Sequence, residues 1–235
     1  MGKGKKPGDR PELLTIDEMN KLILSVASNY YFFTLYNTLK FTGRRIGEIY
    51  GTSRDKQLIG GVKVKDINFE DNTVTTQILK TKKRKLLVEC MLCKNKISYK
   101  SSFCNNCGEK LPELDKSKIK YNVPEEKTIA LKEDLVLILQ NFIKQEQLKL
   151  NDYVFRKYSL VYLKKIIKKH VANVGINKNF SLHGFRHYFI TQCKRAGMSN
   201  EDIAKWTGHK SPETMNIYDR RTSKDVENKI NEVKL

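Results

Sequence analysis

The sequence has 235 residues, 39% of them apolar, enough to bury one substantial core and to carry an insertion. Forty-five Lys and Arg against 26 Asp and Glu give a net charge of +19, beyond what solubility requires, and make nucleic acid the natural polyanion partner. No run reaches the ~18 apolar residues of a spanning helix, the N-terminus "MGKGKKPGDRPE" lacks a signal peptide's apolar stretch, and no lipidation motif accompanies the basic residues; this excludes a membrane role and places the chain in the cytoplasm.

Residues 1–12, rich in Gly, Lys and Pro, read as a basic flexible tail. "LTIDEMNKLILSVA" follows as a helix, because Thr15 and Glu18 make a capping box and Ile16, Met19, Leu22, Ile23 and Val26 keep helical spacing. "YYFFTLYNTLKFTG" reads as a buried helix stopped by Gly43, its aromatics belonging to the core before any base-stacking platform. "RRIGEIYG" is a short helix, and "VKVKDINFEDNTVTTQILKTKK" alternates apolar and polar residues around "EDN" as a β-hairpin does. Strand periodicity resumes at "KTIAL", and helices follow near 132–147 and 159–173. The last third is helical, with Ser199 and Ser211 as candidate N-caps and Pro212 at a first helical position, and "SKDVENKINEVK" ends the chain as a polar helix.

Between the hairpin and "KTIAL", residues 88–114 break the pattern. Cys90 and Cys93 form one CxxC and Cys104 and Cys107 a second, a spacing with which two tight turns present four thiolates tetrahedrally to zinc. Gly108 lets the second turn's backbone approach its sulfurs, and "FCNNCGEKLP" resembles the knuckle of a zinc ribbon. Disulfides and an iron–sulfur site are the alternatives, and a reducing cytoplasm disfavours the first. Four cysteines leave no open coordination position, so the metal is structural. Cys193, alone on a predicted helix, reads as a buried apolar residue.

His183 and Arg186 lie three apart on one predicted helix; alone, that pair is equally a core histidine and a surface arginine. In company it says more. "LHGFRHYFI" is similar to the H-x-x-R box of the tyrosine recombinase (phage integrase) family, "TGHKSPETMNIYDR" to its G-H box with a tyrosine nine residues on, and "TGRRIGE" to its first arginine box. The boxes stand in the family's order over residues 42–220, leaving only the tail and the cysteine insertion outside the resemblance.

The resemblance implies an α+β fold for residues 13–235, a mostly helical catalytic domain with a small antiparallel sheet. It implies catalytic roles for Arg45, His183, Arg186 and His209, with Glu48 as the supporting acid and Tyr218 as nucleophile. The family's lysine lies on a β-hairpin, where Lys80 fits best and Lys82, Lys83 and Lys85 are alternatives. Arg44 falls outside the spacing and reads as a phosphate or surface contact.

The chemistry agrees. Paired arginine donors stabilise the charge that develops on non-bridging phosphate oxygens, and His209 adds a third donor. Tyrosine's pKa near 10 calls for a proton acceptor, which His183 supplies, and Lys80 beside arginines can protonate the departing 5′ oxygen. The expected product is a 3′-phosphotyrosyl link, formed with no nucleotide cofactor or catalytic metal. This implies a recombinase or integrase of a mobile genetic element, working as a homo-tetramer on double-stranded DNA. The family's N-terminal clamping domain is not evident ahead of Thr15, which suggests a minimal enzyme, a gene fragment or a separate core-binding partner. A type IB-like topoisomerase and a non-catalytic zinc-ribbon regulator are the alternatives.

Overall fold

Thr15 starts the first helix as its spacing from Glu18 predicts. In the computed structural model, which describes residues 12–54, 57–79, 87–98, 101–111, 125–209, 211–213 and 216, the Glu18 N–H donates to the Thr15 hydroxyl at 3.1 Å. The Thr15 N–H donates to the Glu18 carboxylate at 2.7 Å, so two otherwise unpaired backbone donors are satisfied. α1 (Ile16–Ser25) buries Met19, Leu22 and Ile23. α2 (Tyr30–Thr42) is capped by Asn29 and ends at Gly43 in the left-handed conformation, φ 60°. Nine of its 13 residues are buried, which marks a helix enclosed on most sides. Tyr31 and Phe32 meet Phe142, Phe155 and Tyr158 at ring-centroid distances of 5.1–6.1 Å, pairs that each add about 0.5–1.5 kcal/mol beyond the area they bury. The aromatics of α2 are thus core, as expected.

α3 (Ile46–Tyr50) follows, then an antiparallel pair, β1 (Thr52–Arg54) and β2 (Gln57–Ile59). The hairpin around "EDN" forms β3 (Ile67–Asn68) and β4 (Thr73–Ile78), with Asn72 at φ 51° in the turn. Its first strand is short because Val64–Asp66 coils into a 3-10 turn. On β4 every second residue, Val74, Thr76 and Ile78, is buried, the period-2 pattern of a strand with one face on the core.

The chain divides into two compact units, residues 80–125 and the remainder. The smaller one contains the antiparallel pair β5 (Leu87–Glu89) and β6 (Lys96–Ser98), with Cys90, Ile97, Cys104 and Leu111 as its own small core.

The larger unit resumes at Glu126 within β7 (Glu125–Ala130), which completes a three-stranded sheet in the order β3-β4-β7. α4 (Glu133–Gln145), α5 (Leu160–Asn173, capped by Ser159), α6 (Gly184–Arg195) and α7 (Asn200–Thr207, capped by Ser199) then follow. α1, α4 and α6 pack on α2. The architecture is the expected α+β one, mostly helical with small antiparallel sheets. Among the described residues no helix is long and apolar enough to cross a membrane. The basic tail to residue 11, Lys80, Lys82, Lys83, Lys85, Tyr218 and the expected C-terminal helix lie outside the described residues.

Candidate active site and metal centre

A helix leaves its last carbonyls without partners, and at the end of α2 two side chains from the C-terminal third supply donors. Arg186 Nη1 donates to the Gly43 carbonyl at 3.0 Å, and the Trp206 indole N–H donates to the Thr42 carbonyl at 3.1 Å. A guanidinium is well placed there, since the helix C-terminus carries partial negative charge. α6 and α7 are thereby tied to the segment that carries the first arginine box.

Arg186 itself is 1% exposed, and its Nη2 lies 3.1 Å from each ring nitrogen of His209. His209 follows Gly208, which ends α7 in the left-handed conformation at φ 72°. The Thr207 hydroxyl sits 2.7 Å from His209 Nδ1 and 2.6 Å from the Ile203 carbonyl. A hydroxyl has one proton, and a carbonyl can only accept, so Thr207 donates to Ile203 and accepts from Nδ1–H. With Nδ1–H so engaged, the neutral form of His209 carries its lone pair on Nε2, one of the two ring nitrogens that lie 3.1 Å from Arg186 Nη2.

Arg45 stands at the start of α3. Its Nη1 donates to Glu48 Oε1 at 2.8 Å, its backbone N–H donates to Oε2 at 3.2 Å, and Glu48 is fully buried. Arg45 remains partly open, its side chain 19% exposed, so it can serve a ligand while Glu48 holds its orientation.

Arg44 corrects an expectation. It is not a surface contact: it is 1% exposed, with Nη1 3.9 Å from Glu48 Oε2 and Nη2 donating to the Lys127 carbonyl at 3.5 Å. Burial draws its pKa down from the usual range, against the pull of Glu48. Arginine is seldom buried, and its place in a turn between two helices offers no periodicity that would reveal an inward side chain.

His183 is the N-cap residue of α6; it is exposed, its ring edge-on to His187 with centroids 4.8 Å apart. Of the residues singled out from sequence, the structure joins Arg45 to Glu48 and Arg186 to His209. Sequence reasoning missed the Gly43 carbonyl, visible only when α6 and the end of α2 are brought together, and Thr207, which bonds His209 locally at the end of α7.

In the smaller unit Cys90, Cys93, Cys104 and Cys107 bring their sulfurs within 4.8 Å of one another. The Cys93–Cys104 and Cys90–Cys107 separations of 3.4 and 3.6 Å approach the roughly 3.8 Å between thiolates around a tetrahedral zinc, and none of the four is in a disulfide in this structure. The two turns repeat one backbone pattern: Lys94 N–H donates to Cys90 O and Gly108 N–H to Cys104 O, each at 2.9 Å. Lys94 and Gly108 hold matching positive φ values of 57° and 76°. Hydrogen bonds from Asn106 and Asn95 bring the Cys93 thiol down to about 6, while burial and the neighbouring sulfurs push Cys107 up to about 12, so the sulfurs titrate together as one group. The four cysteines can therefore hold a metal ion. Cys193 is buried, as expected, and burial pushes its thiol up to about 11.

Residues 14–225 match the model of the phage integrase family. Among solved structures, the crystal structure of XerA recombinase is 18% identical, with a TM-score of 0.64 over 98% of this chain and 66% of that one. The Tn1549 transposon integrase in complex with transposon right end DNA is 15% identical, with a TM-score of 0.61 over 97% of this chain and 68% of that one. The catalytic domain of bacteriophage HP1 integrase is 12% identical, with a TM-score of 0.55 over 94% of this chain and 95% of that one. At these identities the likeness is one of fold, and the chain spans about two thirds of the first two proteins. No curated protein matches it.

Proposed function

The chain belongs to the phage integrase family, and on that premise we propose that it is a site-specific DNA recombinase that cleaves and rejoins strands through a 3′-phosphotyrosyl link. The observation that carries this reading is the bond network of Arg186, which ties His209 to the Gly43 carbonyl two residues ahead of Arg45. Two guanidiniums and an imidazole are thus supplied by three distant stretches of sequence, as stabilising a pentavalent phosphorane requires.

In the reaction, Arg45 and Arg186 aim paired donors at the non-bridging oxygens, the phosphate competing with His209 for Arg186. His209 donates to the same oxygens once protonated on Nε2, since Thr207 occupies its Nδ1–H. The Tyr218 oxygen attacks phosphorus and its proton passes to His183. The phosphorus–O5′ bond breaks, and Lys80, or Lys82, Lys83 or Lys85 in its place, protonates the departing oxygen. Attack by a 5′ hydroxyl of another strand reverses these steps and restores the diester, so the bond energy is conserved. The scheme requires neither nucleotide nor catalytic metal.

Cys90, Cys93, Cys104 and Cys107 would hold a structural Zn2+, whose filled tetrahedral shell stabilises the fold of residues 88–114 and takes no part in strand cleavage. The working form is a homo-tetramer on two DNA duplexes in the cytoplasm. The net charge of +19 supports DNA as the partner.

The test mixes two linear duplexes of unequal length that carry DNA flanking the gene. Products of hybrid length are the expected result. Steady relaxation of a supercoiled plasmid lacking those sequences would point instead to a topoisomerase, and tight binding with neither product to the regulator.

A further inference from the structure

Arg44, like Arg186, is among the largest fully buried side chains of the described residues, and neither its Nε nor its Nη1 has a hydrogen-bond partner. Packing alone does not call for such a residue. A methionine or leucine would fill the space without the desolvation penalty that a buried cation with unused donors carries. Its surroundings explain it better. The guanidinium reaches Glu48 at 3.9 Å, the Lys127 carbonyl on β7, and the underside of Gly208, where an added methyl group would lie 3.3 Å from Nη1. It therefore sits beneath the residue that precedes His209 and behind the carboxylate that holds Arg45.

Glu48 is one negative charge shared by two guanidiniums. Paired with Arg45 alone, it would cancel most of the charge that Arg45 presents to a ligand. With Arg44 on its buried side, the group of three carries a net positive charge, and Arg45 can stay oriented by Glu48 without being neutralised by it. We propose that Arg44 is a positioning residue for the cleavage reaction: it offsets Glu48 from inside the protein, so that Arg45 keeps its positive charge for the phosphate. The inference rests on the proposed strand-cleavage reaction, in which that charge is used.

The experiment measures single-turnover cleavage of a nicked duplex from the DNA flanking the gene, with DNA affinity and thermal unfolding followed in parallel. Arg44→Met should cleave at least about tenfold more slowly, a smaller loss than the 10²–10³-fold typical of removing a direct donor. Its DNA affinity should hold, because phosphates outside the site dominate binding. Arg44→Lys, which keeps the charge, should retain most of the rate. The deciding protein is Arg44→Met/Glu48→Gln: the amide keeps one oxygen to accept from Arg45 while the carboxylate charge is gone, so the net charge is restored and the double variant should cleave faster than Arg44→Met, which a purely structural role for Arg44 would not allow.

Should Arg44→Met fail to fold, the double variant is compared with the wild type, and a rate within a few-fold supports the inference. Arg44→Met cleaving as fast as the wild type, or a double variant no faster than Arg44→Met, would overturn this inference while leaving the proposed function standing. Absence of cleavage by the wild type would overturn both.

Discussion

Gly43 combines two demands that only glycine meets. Its φ of 60° lies in the left-handed region, and a methyl group there would lie 2.2 Å from the Phe189 ring. Its carbonyl also receives Arg186. Gly43→Ala should therefore cost at least about 1–3 kcal/mol, read as a fall in Tm of about 2–4 °C per kcal/mol for a chain of this size. It should also slow cleavage by shifting Arg186; an alanine variant as stable and active as the wild type would remove Gly43 from the account. At this scale the sequence was legible where a role depends on local spacing. Arg45 and Glu48 are three apart, and one helical turn brings them together. The burial of Arg44 depends on Lys127 and Gly208, from distant parts of the chain, which no local pattern encodes, whereas Thr207 meets His209 only two residues on, a local contact that no sequence motif marks.

Among the elements, the long periodic ones were readable because one physical signal dominates each: the capping box of α1, the aromatic content of α2, the period-2 burial of β4. β1, β2, β5 and β6 were not, since three residues offer too little alternation to read. In the cysteine unit the thiols carry the information that the short strands lack. Among the described residues its small core holds only Ile97 and Leu111 besides two of the cysteines, so a bound metal is expected to supply much of its stability. The purified protein is expected to carry about one zinc per chain. Cys104→Ser, or a strong chelator, should unfold residues 88–114 and leave the helical core's circular dichroism and thermal transition intact. Metal-free protein with a folded cysteine unit would refute the structural role of zinc.

For the whole molecule, the basic surplus and the bound state are linked through salt. If the protein neutralises about 6–10 phosphates, its DNA affinity should fall roughly 10³–10⁵-fold between 50 and 200 mM salt. An affinity indifferent to salt would contradict the backbone contacts. The central claim, that Tyr218 is the nucleophile served by Arg45, Arg186 and His209, is tested most directly by trapping the covalent intermediate. A duplex nicked just 3′ of the cleaved phosphate loses its short 5′-hydroxyl strand by diffusion, so religation cannot occur and the enzyme remains attached. The wild type should stay joined to the DNA 3′ end through a denaturing gel, with the phosphate mapped to Tyr218 by mass spectrometry. Tyr218→Phe keeps the ring, should bind the duplex as tightly, and should give no adduct. An adduct formed by Tyr218→Phe, or none formed by the wild type on DNA that it binds, would contradict the account.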